Sequence, residues 1–335
     1  VVDSGLARVK RYSYRNKVEQ LQVEKIAQAS ANQRAGRCGR VSAGVCIRLY
    51  DEEDFGKRPA YSDPEILRSS LAGVILRMKA LRLGDVESFP FIEAPPSRAI
   101  SDGYQLLQEL GAVTDERALT PVGNELAKMP LDPRVARMIV AARDEGCLKE
   151  MLVIAAALTV QDPRERPQEK QGTADAAHKK FADEKSEFLS WLKLWHWYEG
   201  ELEHKKSQRK LVQACHANFL SALRMREWHD IHSQLRGLAA EHGWRENEIA
   251  ANYDAVHRAL LSGLLGNVGC KSEDSGHYLG ARGIKFLIHP GSPLNKKAGK
   301  WIAAAEITET SKLFARCVAR IEPEWLEKIG AHLLK

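Results

Sequence analysis

The spacing of apolar positions along this chain changes several times, and each change marks a different element. Residues 8–26 alternate basic or polar side chains with apolar and aromatic ones around Arg15-Asn16-Lys17, a period of two that predicts a hairpin with a basic tip. Ser30 follows as the N-cap of a helix, and Gly44–Tyr50 reads as a short buried strand. From Asp63-Pro64, a cap and first-turn proline, Leu67, Leu71, Val74, Ile75, Met78 and Leu81 fall on one helical stripe. A second helix carries Ile100, Tyr104, Leu107 and Leu110 and stops at Gly111. Ala112-Val113, the polar turn Thr114–Arg117 and Ala118-Leu119 then predict a small hairpin, and Thr120-Pro121 opens a third helix.

Helix, helix, small hairpin and helix is the outline of a winged-helix domain. Residues 132–255 keep a helical period almost throughout: Asp132-Pro133 starts one helix, Gly146 ends it, and Leu148–Val160 forms the next. A polar loop, Gln161–Thr173, interrupts the series, and a long amphipathic stretch runs from Leu211 to Leu238. Between that loop and that stretch, Trp191, Leu192, Trp195 and Tyr198 share a stripe, which predicts core packing and not a base-stacking platform. Beyond Gly263 the chain breaks into glycine-punctuated strands: Leu264–Cys270, Tyr278–Ala281, Lys285–His289, Trp301–Thr308 and Phe314–Ile321. Five such strands predict a small barrel of the OB type. The fold class expected is α+β, mainly helical and multidomain, with boundaries at 1–60, 61–130, 131–258 and 259–335.

Composition narrows the picture modestly. With 335 residues, 44% of them hydrophobic, the chain can bury sizeable cores. Fifty Lys and Arg against 44 Asp and Glu give a formal charge of +6, a lean toward a polyanionic partner. The six cysteines form no CxxC or CxxxC pair, which argues against a zinc module or a disulfide framework and for reduced thiols in the cytoplasm. The longest apolar run, Met151–Val160, is half of the roughly 20 residues a membrane span needs. Val1-Val2-Asp3-Ser4-Gly5 has the composition of a strand entering a turn and no starting Met, so the expectation is a piece of a longer polypeptide.

The densest chemistry lies in QRAGRCGR, residues 33–40. On a helix, Gln33, Arg37 and Arg40 leave from one face at i, i+4 and i+7. Two guanidiniums and an amide on one stripe suit a polyphosphate, because arginine keeps its charge and pairs bidentately with phosphate oxygens. Gly36 and Gly39 would let such a helix pack closely on a neighbour.

Q-x-x-G-R-x-G-R resembles the sixth motif of superfamily 2 helicases, in the form typical of the DEAH/RHA branch. SANQRAGRCGR running into GVCIRLYDEEDF, RPAYSDPEILRSSLAGVILRMKALRLGD, PLDPRVARMIV, and the later FLIHPGS, TSKLFAR and IEPEWL are similar to successive stretches of that family. QDPRERP fits its bacterial HrpA type. The resemblance implies the end of a second RecA-like lobe, a winged helix, a helical ratchet domain and an OB-fold of an ATP-dependent RNA helicase. It also implies that Gln33, Arg37 and Arg40 face ATP bound on the first lobe, with Arg37 and Arg40 as arginine fingers and Arg34 in packing or a salt bridge. Asp3 is expected near the nucleotide.

No GxxxxGK[ST] loop occurs, and Asp51-Glu52-Glu53-Asp54 follows the arginines, whereas the family's Mg²⁺-binding acidic box belongs to the first lobe. ATP and Mg²⁺ are therefore cofactors expected of the whole enzyme, and neither hydrolysis nor stable nucleotide binding is expected of this piece. Single-stranded RNA, or DNA or an RNA–protein complex, is the implied partner, alongside the first lobe in cis; a monomer away from membranes is expected. Sequence-independent grip on a backbone needs Lys and Arg. The candidates are Arg11, Arg15 and Lys17 on the hairpin, Arg164 and Arg166 on the ratchet loop, and Arg282, Lys285 and Lys312 on the barrel. The hairpin would act as a strand separator.

A reading from another class is a non-catalytic winged-helix and OB module that recognises a specific nucleic-acid sequence; such a module has no need of Gln33, Arg37 and Arg40 on one face. Glu227, His229 and His232 lie close together on one predicted helix but lack a further ligand, so no metal site is expected.

Overall fold

The computed structural model describes residues 1–13, 18–204, 207–273, 276–295, 297–310 and 312–333. β1 (Val2–Asp3) turns at Gly5 into an antiparallel hairpin of β2 (Leu6–Ser13) and β3 (Val18–Lys25), with Leu6 opposite Lys25 and Ser13 opposite Val18. Gly5 has φ +70°, and a Cβ there would come within 2.6 Å of the Tyr50 ring and Arg58, so only glycine fits the turn. α1 (Gln28–Gly36) follows, then β4 (Ile47–Arg48), parallel to β1, and α2 (Glu52–Lys57).

Two expectations change here. α1 begins two residues before Ser30 and has no side-chain cap, because the carbonyls of Pro59 and Ala60 accept from the Gln28 and Ala29 amides that a cap would otherwise satisfy. The segment Gly44–Tyr50 is not a buried strand: only Ile47–Arg48 is extended, and Val45, Ile47 and Leu49 are exposed.

The helix expected from Pro64 is broken as well. A 3₁₀ turn, Glu65–Leu67, is separated from α3 (Ala72–Ala80) because Arg68 Nε is drawn back to the Asp63 carbonyl and Ser70 Oγ takes the Ala72 amide. α4 (Ser97–Glu109), the single pairing of Val113 with Leu119, and α5 (Pro121–Ala127) complete a winged helix. Its core is Leu71, Ile75, Leu107, Leu110 and Leu126, all at most 1% exposed. Thr120 caps α5 by accepting from the Gly123 amide and donating to the Gly111 carbonyl.

α6 (Pro133–Asp144), α7 (Leu148–Thr159), α8 (Gln171–His178), α9 (Glu187–His204), α10 (Gln208–Ala217), α11 (Ala222–Glu241) and α12 (Tyr253–Leu264) form the helical domain. The stretch expected as one amphipathic run is two helices. Phe219, at φ +52°, reverses the chain, and Ser221 caps the second helix. Trp191, Trp195 and Tyr198 pack in the core around Trp228, whose indole N–H donates to the Val153 carbonyl at 3.0 Å. Among the described residues no helix is long and apolar enough to cross a membrane.

β5 (Val268–Lys271), β6 (Tyr278–Gly280), β7 (Lys285–Ile288), β8 (Trp301–Glu309) and β9 (Leu313–Arg320) close into a barrel in the order β8-β5-β6-β7-β9, with β9 pairing back onto β8; α13 (Pro323–Ile329) follows it. β3 adds to this sheet, running parallel to the end of β8 with Glu19 opposite Thr308 and Gln20 opposite Glu309. The barrel is docked on the helical domain by buried polar links. Glu187 accepts from Ser292 Oγ at 2.7 Å and from the Val318 amide at 2.9 Å, and Arg320 N donates to the Lys185 carbonyl.

Candidate functional site

The residues that resemble the helicase motif sit at the end of α1, and their side chains divide into two groups. Gln33, Arg37 and Arg40 are exposed and make no hydrogen bond or ion pair among the described residues. The helix does not run through all three: α1 ends at Gly36 and continues as a 3₁₀ turn, Arg37–Gly39, with Arg40 still in a right-handed helical conformation. Among the described residues nothing lies within 4 Å of a Cβ position at Gly36 or Gly39, so the expected close packing is not made there.

Arg34 belongs to the other group. Its Nη1 donates to Asp3 Oδ1 at 2.7 Å and its Nη2 to the Leu6 carbonyl at 3.0 Å. Asp3 is sealed, with 0% of its side chain exposed, and also accepts from the Gly5 amide at 3.0 Å and Tyr50 Oη at 3.0 Å. Burial alone would push this carboxyl up, but the Gly5 amide, Arg34 and Tyr50 together hold it below the usual carboxylate range. Asp3, expected near the nucleotide, has both oxygens committed inside the chain; its role here is to fix Arg34 and the Gly5 turn.

A second ionic knot holds the root of the hairpin. Arg58, 6% exposed, donates to Asp54 and to the Gly5 and Ile26 carbonyls and stacks on the Tyr50 ring at 3.9 Å, while Lys25 also pairs with Asp54. Asp51 caps α2. The acidic run 51–54 thus supplies a helix cap and an anchor for Arg58. Nothing in the pattern of the sequence marked Arg58 or Tyr50; a lone arginine just before a proline carries no signal of burial.

The expected nucleic-acid contacts also separate. Arg11 is held by Glu24, bidentately, and by Asp63, and these raise its pKa well above the usual value, so it is a tether and not a free contact. Arg15 and Lys17 lie outside the described residues. Arg164 is forked onto Asp162 and lies over the Trp191 ring at 4.6 Å, in a segment pinned by pairing with Leu220. Arg166 is exposed but paired bidentately with Asp175. The short acidic partners of both, two and nine residues away, are what sequence reading overlooked.

On the barrel two of the three expected charges stay available. Lys285 and Lys312 are exposed, with no side-chain partner among the described residues. β7 and β9 run parallel with Leu287 opposite Phe314, and extending that register by two residues brings Lys285 level with Lys312 at one end of the barrel. The far half of the hairpin pairs with β8 at this same end. Arg282, at φ +60°, stands 3.7 Å from Glu109 Oε2 of α4, at the contact between barrel and winged helix. Lys271 and Lys300, also exposed, adjoin through the hydrogen bond of the Lys271 amide to the Lys300 carbonyl; their strand-end positions were not singled out from sequence.

Among the described residues no three His, Cys, Asp or Glu side chains are grouped to hold a metal. His229 stacks on Trp195, and His232, packed 4.5 Å from the same ring, is driven by burial to a pKa of about 4.

Comparison with known proteins accords with this architecture. Family models described as "Helicase associated domain (HA2), winged-helix", "Helicase associated domain (HA2), ratchet-like" and "Oligonucleotide/oligosaccharide-binding (OB)-fold" match residues 104–131, 132–221 and 256–333. The chain is 53% identical over 342 residues to the ATP-dependent RNA helicase HrpA homolog of Haemophilus influenzae, and 52% over 340 to the ATP-dependent RNA helicase HrpA of Escherichia coli. All of this chain is covered in both, but only 26% of each relative. It is 35% identical to the probable ATP-dependent RNA helicase DHX35 of Homo sapiens, covering 99% of this chain and 46% of that protein. The chain therefore belongs to the family of HrpA-type RNA helicases, and it spans about a quarter of the length of the bacterial members it matches.

Proposed function

We propose that this chain is the arginine-finger and accessory-domain part of an ATP-dependent RNA helicase, completed by a phosphate-binding lobe elsewhere in the same protein. The observation that carries the reading is the division within residues 33–40: Arg34 is consumed by an internal ion pair, while Gln33, Arg37 and Arg40 are solvent-facing and unpaired. Two guanidiniums three residues apart repel each other slightly, and an anion between them would turn that repulsion into attraction. Their exposure, charge and unspent donors fit the γ-phosphate end of ATP with its Mg²⁺, whose hydrolysis would power strand movement. Arg37 and Arg40 would stabilise charge developing on the transferred phosphoryl group, and Gln33 would orient its surroundings. The short parallel pair β1 and β4 fits the edge of a RecA-like lobe, which would cover the exposed Val45, Ile47 and Leu49.

The same reading makes the barrel end with Lys285, Lys312 and the hairpin a single-stranded RNA platform. It grips the backbone by charge and not by base, with the hairpin as the strand separator. The test uses the full-length protein. Arg37→Ala and Arg40→Ala should each lower RNA-stimulated ATPase by about 10³-fold or more, while the present chain alone shows none. Stimulated hydrolysis that survives both substitutions overturns the assignment.

A further inference from the structure

One helix holds both kinds of arginine, and its second side grips the hairpin. Arg34 lies about 100° around α1 from Gln33. Its partners, not its angle, set it apart from the exposed trio: its guanidinium spans two strands, Nη1 to Asp3 on β1 and Nη2 to the backbone of Leu6, the first residue of β2. The Asp3 end cannot slip, because that carboxylate is fully buried and also held by Tyr50 Oη and the Gly5 amide. The other side of the hairpin root is equally fixed: Ile26 N donates to the Gly5 carbonyl, and Arg58 reaches the carbonyls of both. From this root β2 runs 8 residues, roughly 26 Å at ~3.3 Å each, and its partner β3 starts in the sheet of the barrel beside Thr308 and Glu309 and returns to the root at Lys25. A shift of α1 is thus passed through two short charge-assisted bonds to the base of a stiff ribbon whose far half lies on the barrel.

We propose that Arg34 is a positioning residue that couples the nucleotide-facing end of α1 to the hairpin, so that it governs strand separation per ATP and not hydrolysis itself. This rests on the arginine-finger reading above. A planar fork suits the task because one arm holds the buried carboxylate while the other holds a strand carbonyl; the three donors of lysine all leave one nitrogen on a flexible stem and lack that fixed spread.

The experiment takes the full-length protein with Arg34→Gln and Arg34→Lys. RNA-stimulated ATPase is expected to stay within about threefold of wild type, while base pairs unwound per ATP fall at least about tenfold in Arg34→Gln and by a smaller factor in Arg34→Lys. A second readout needs no turnover: hydrogen exchange of residues 6–11 and 22–26 with and without adenylyl imidodiphosphate. The wild-type hairpin should change its protection on binding the nucleotide, and Arg34→Gln should not, at unchanged nucleotide affinity. Loss of ATPase and unwinding in equal proportion, or a nucleotide response that persists in Arg34→Gln, overturns the coupling. If Arg34→Gln does not fold, Arg34→Lys decides on the same two measures. ATPase surviving Arg37→Ala would instead sink the finger reading, so the two failures are distinct.

Discussion

The proposed RNA platform needs the barrel to stay docked, and one buried imidazole is expected to make that docking pH-dependent. His257 of α12 is 1% exposed. Its Nδ1 lies 2.7 Å from the Tyr253 carbonyl, which can only accept, so Nδ1 carries the proton; Nε2, 2.7 Å from Ser186 Oγ, accepts the hydroxyl hydrogen. The ring stacks on Tyr253 at 3.7 Å, and the Tyr253 hydroxyl donates to the Arg320 carbonyl of β9. Ser186 itself pairs with Ala319 of the barrel. Protonation would place a second N–H against Ser186 Oγ, which must then give up its donor role, in a site with little water. Burial accordingly lowers the His257 pKa from 6.5 to about 4, although the Tyr253 carbonyl and the carboxylates of Asp183 and Asp254 favour the charged ring.

A native pKa below the unfolded one means that the unfolded chain binds the extra proton. The stabilisation is therefore complete above pH ~6.5 and drains away as pH falls toward ~4. Between pH 7 and pH 5 these two pKa values give a loss of about 2 kcal/mol from this one ring. Urea unfolding followed by tryptophan fluorescence at the two pH values measures it; Trp325 lies 6.4 Å from Tyr253 and reports on the joint. His257→Gln keeps a neutral hydrogen-bonding side chain but cannot titrate. Wild type should lose about 2 kcal/mol more than the variant over that range, and His232, present in both, cancels. Equal losses would mean that the ring is not sealed at the joint, and the argument would fail.

Three further outcomes follow from the packing and charge. Gly123→Ala should destabilise the winged helix by about 3 kcal/mol or more, since its Cβ would stand 2.0 Å from the Ala112 carbonyl oxygen, whereas Gly200→Ala, with nothing within 4 Å, should raise the melting temperature slightly. Trp228→Ala should cost about 3–5 kcal/mol in chemical denaturation, because the side chain is 0% exposed and its removal empties the centre of the helical core and loses the bond to the Val153 carbonyl. Lys285→Glu with Lys312→Glu should weaken single-stranded RNA binding by about tenfold or more at low salt and flatten its salt dependence, whereas Arg166→Glu, already paired with Asp175, should change affinity less than about twofold in a fluorescence-anisotropy titration.

What the sequence made legible and what it hid divide along a physical line. Period, caps and glycines are local: Thr120 and Asp132 mark their helices, and four of the five barrel strands lie within a residue of where alternation and glycines put them, because a strand's pattern is set by its own two faces; the first starts at Val268, not Leu264, because the preceding helix and a 3₁₀ turn run on to Asn267. Whatever depended on a distant partner was hidden. Ser30 lost its capping role because Pro59 and Ala60, thirty residues on, supply the carbonyls. The long stripes at 64–81 and 211–238 broke where a backbone reversal or a side-chain hydrogen bond outbid periodicity.

The site divides in the same way. Arginines were recognisable as arginines, but whether each is spent depends on carboxylates that sequence spacing does not place. Arg11, Arg164 and Arg166 are neutralised at home, and Lys285 and Lys312 are not. Within eight residues the motif shows both fates, and the difference is physical. A guanidinium that meets a sealed carboxylate becomes part of the frame, and one left bare at a helix end keeps all five donors for a ligand. The frame arginine ties the helix that carries the bare ones to the root of the hairpin. A functional reading of such a cluster therefore has to begin by subtracting the charges that the fold itself uses.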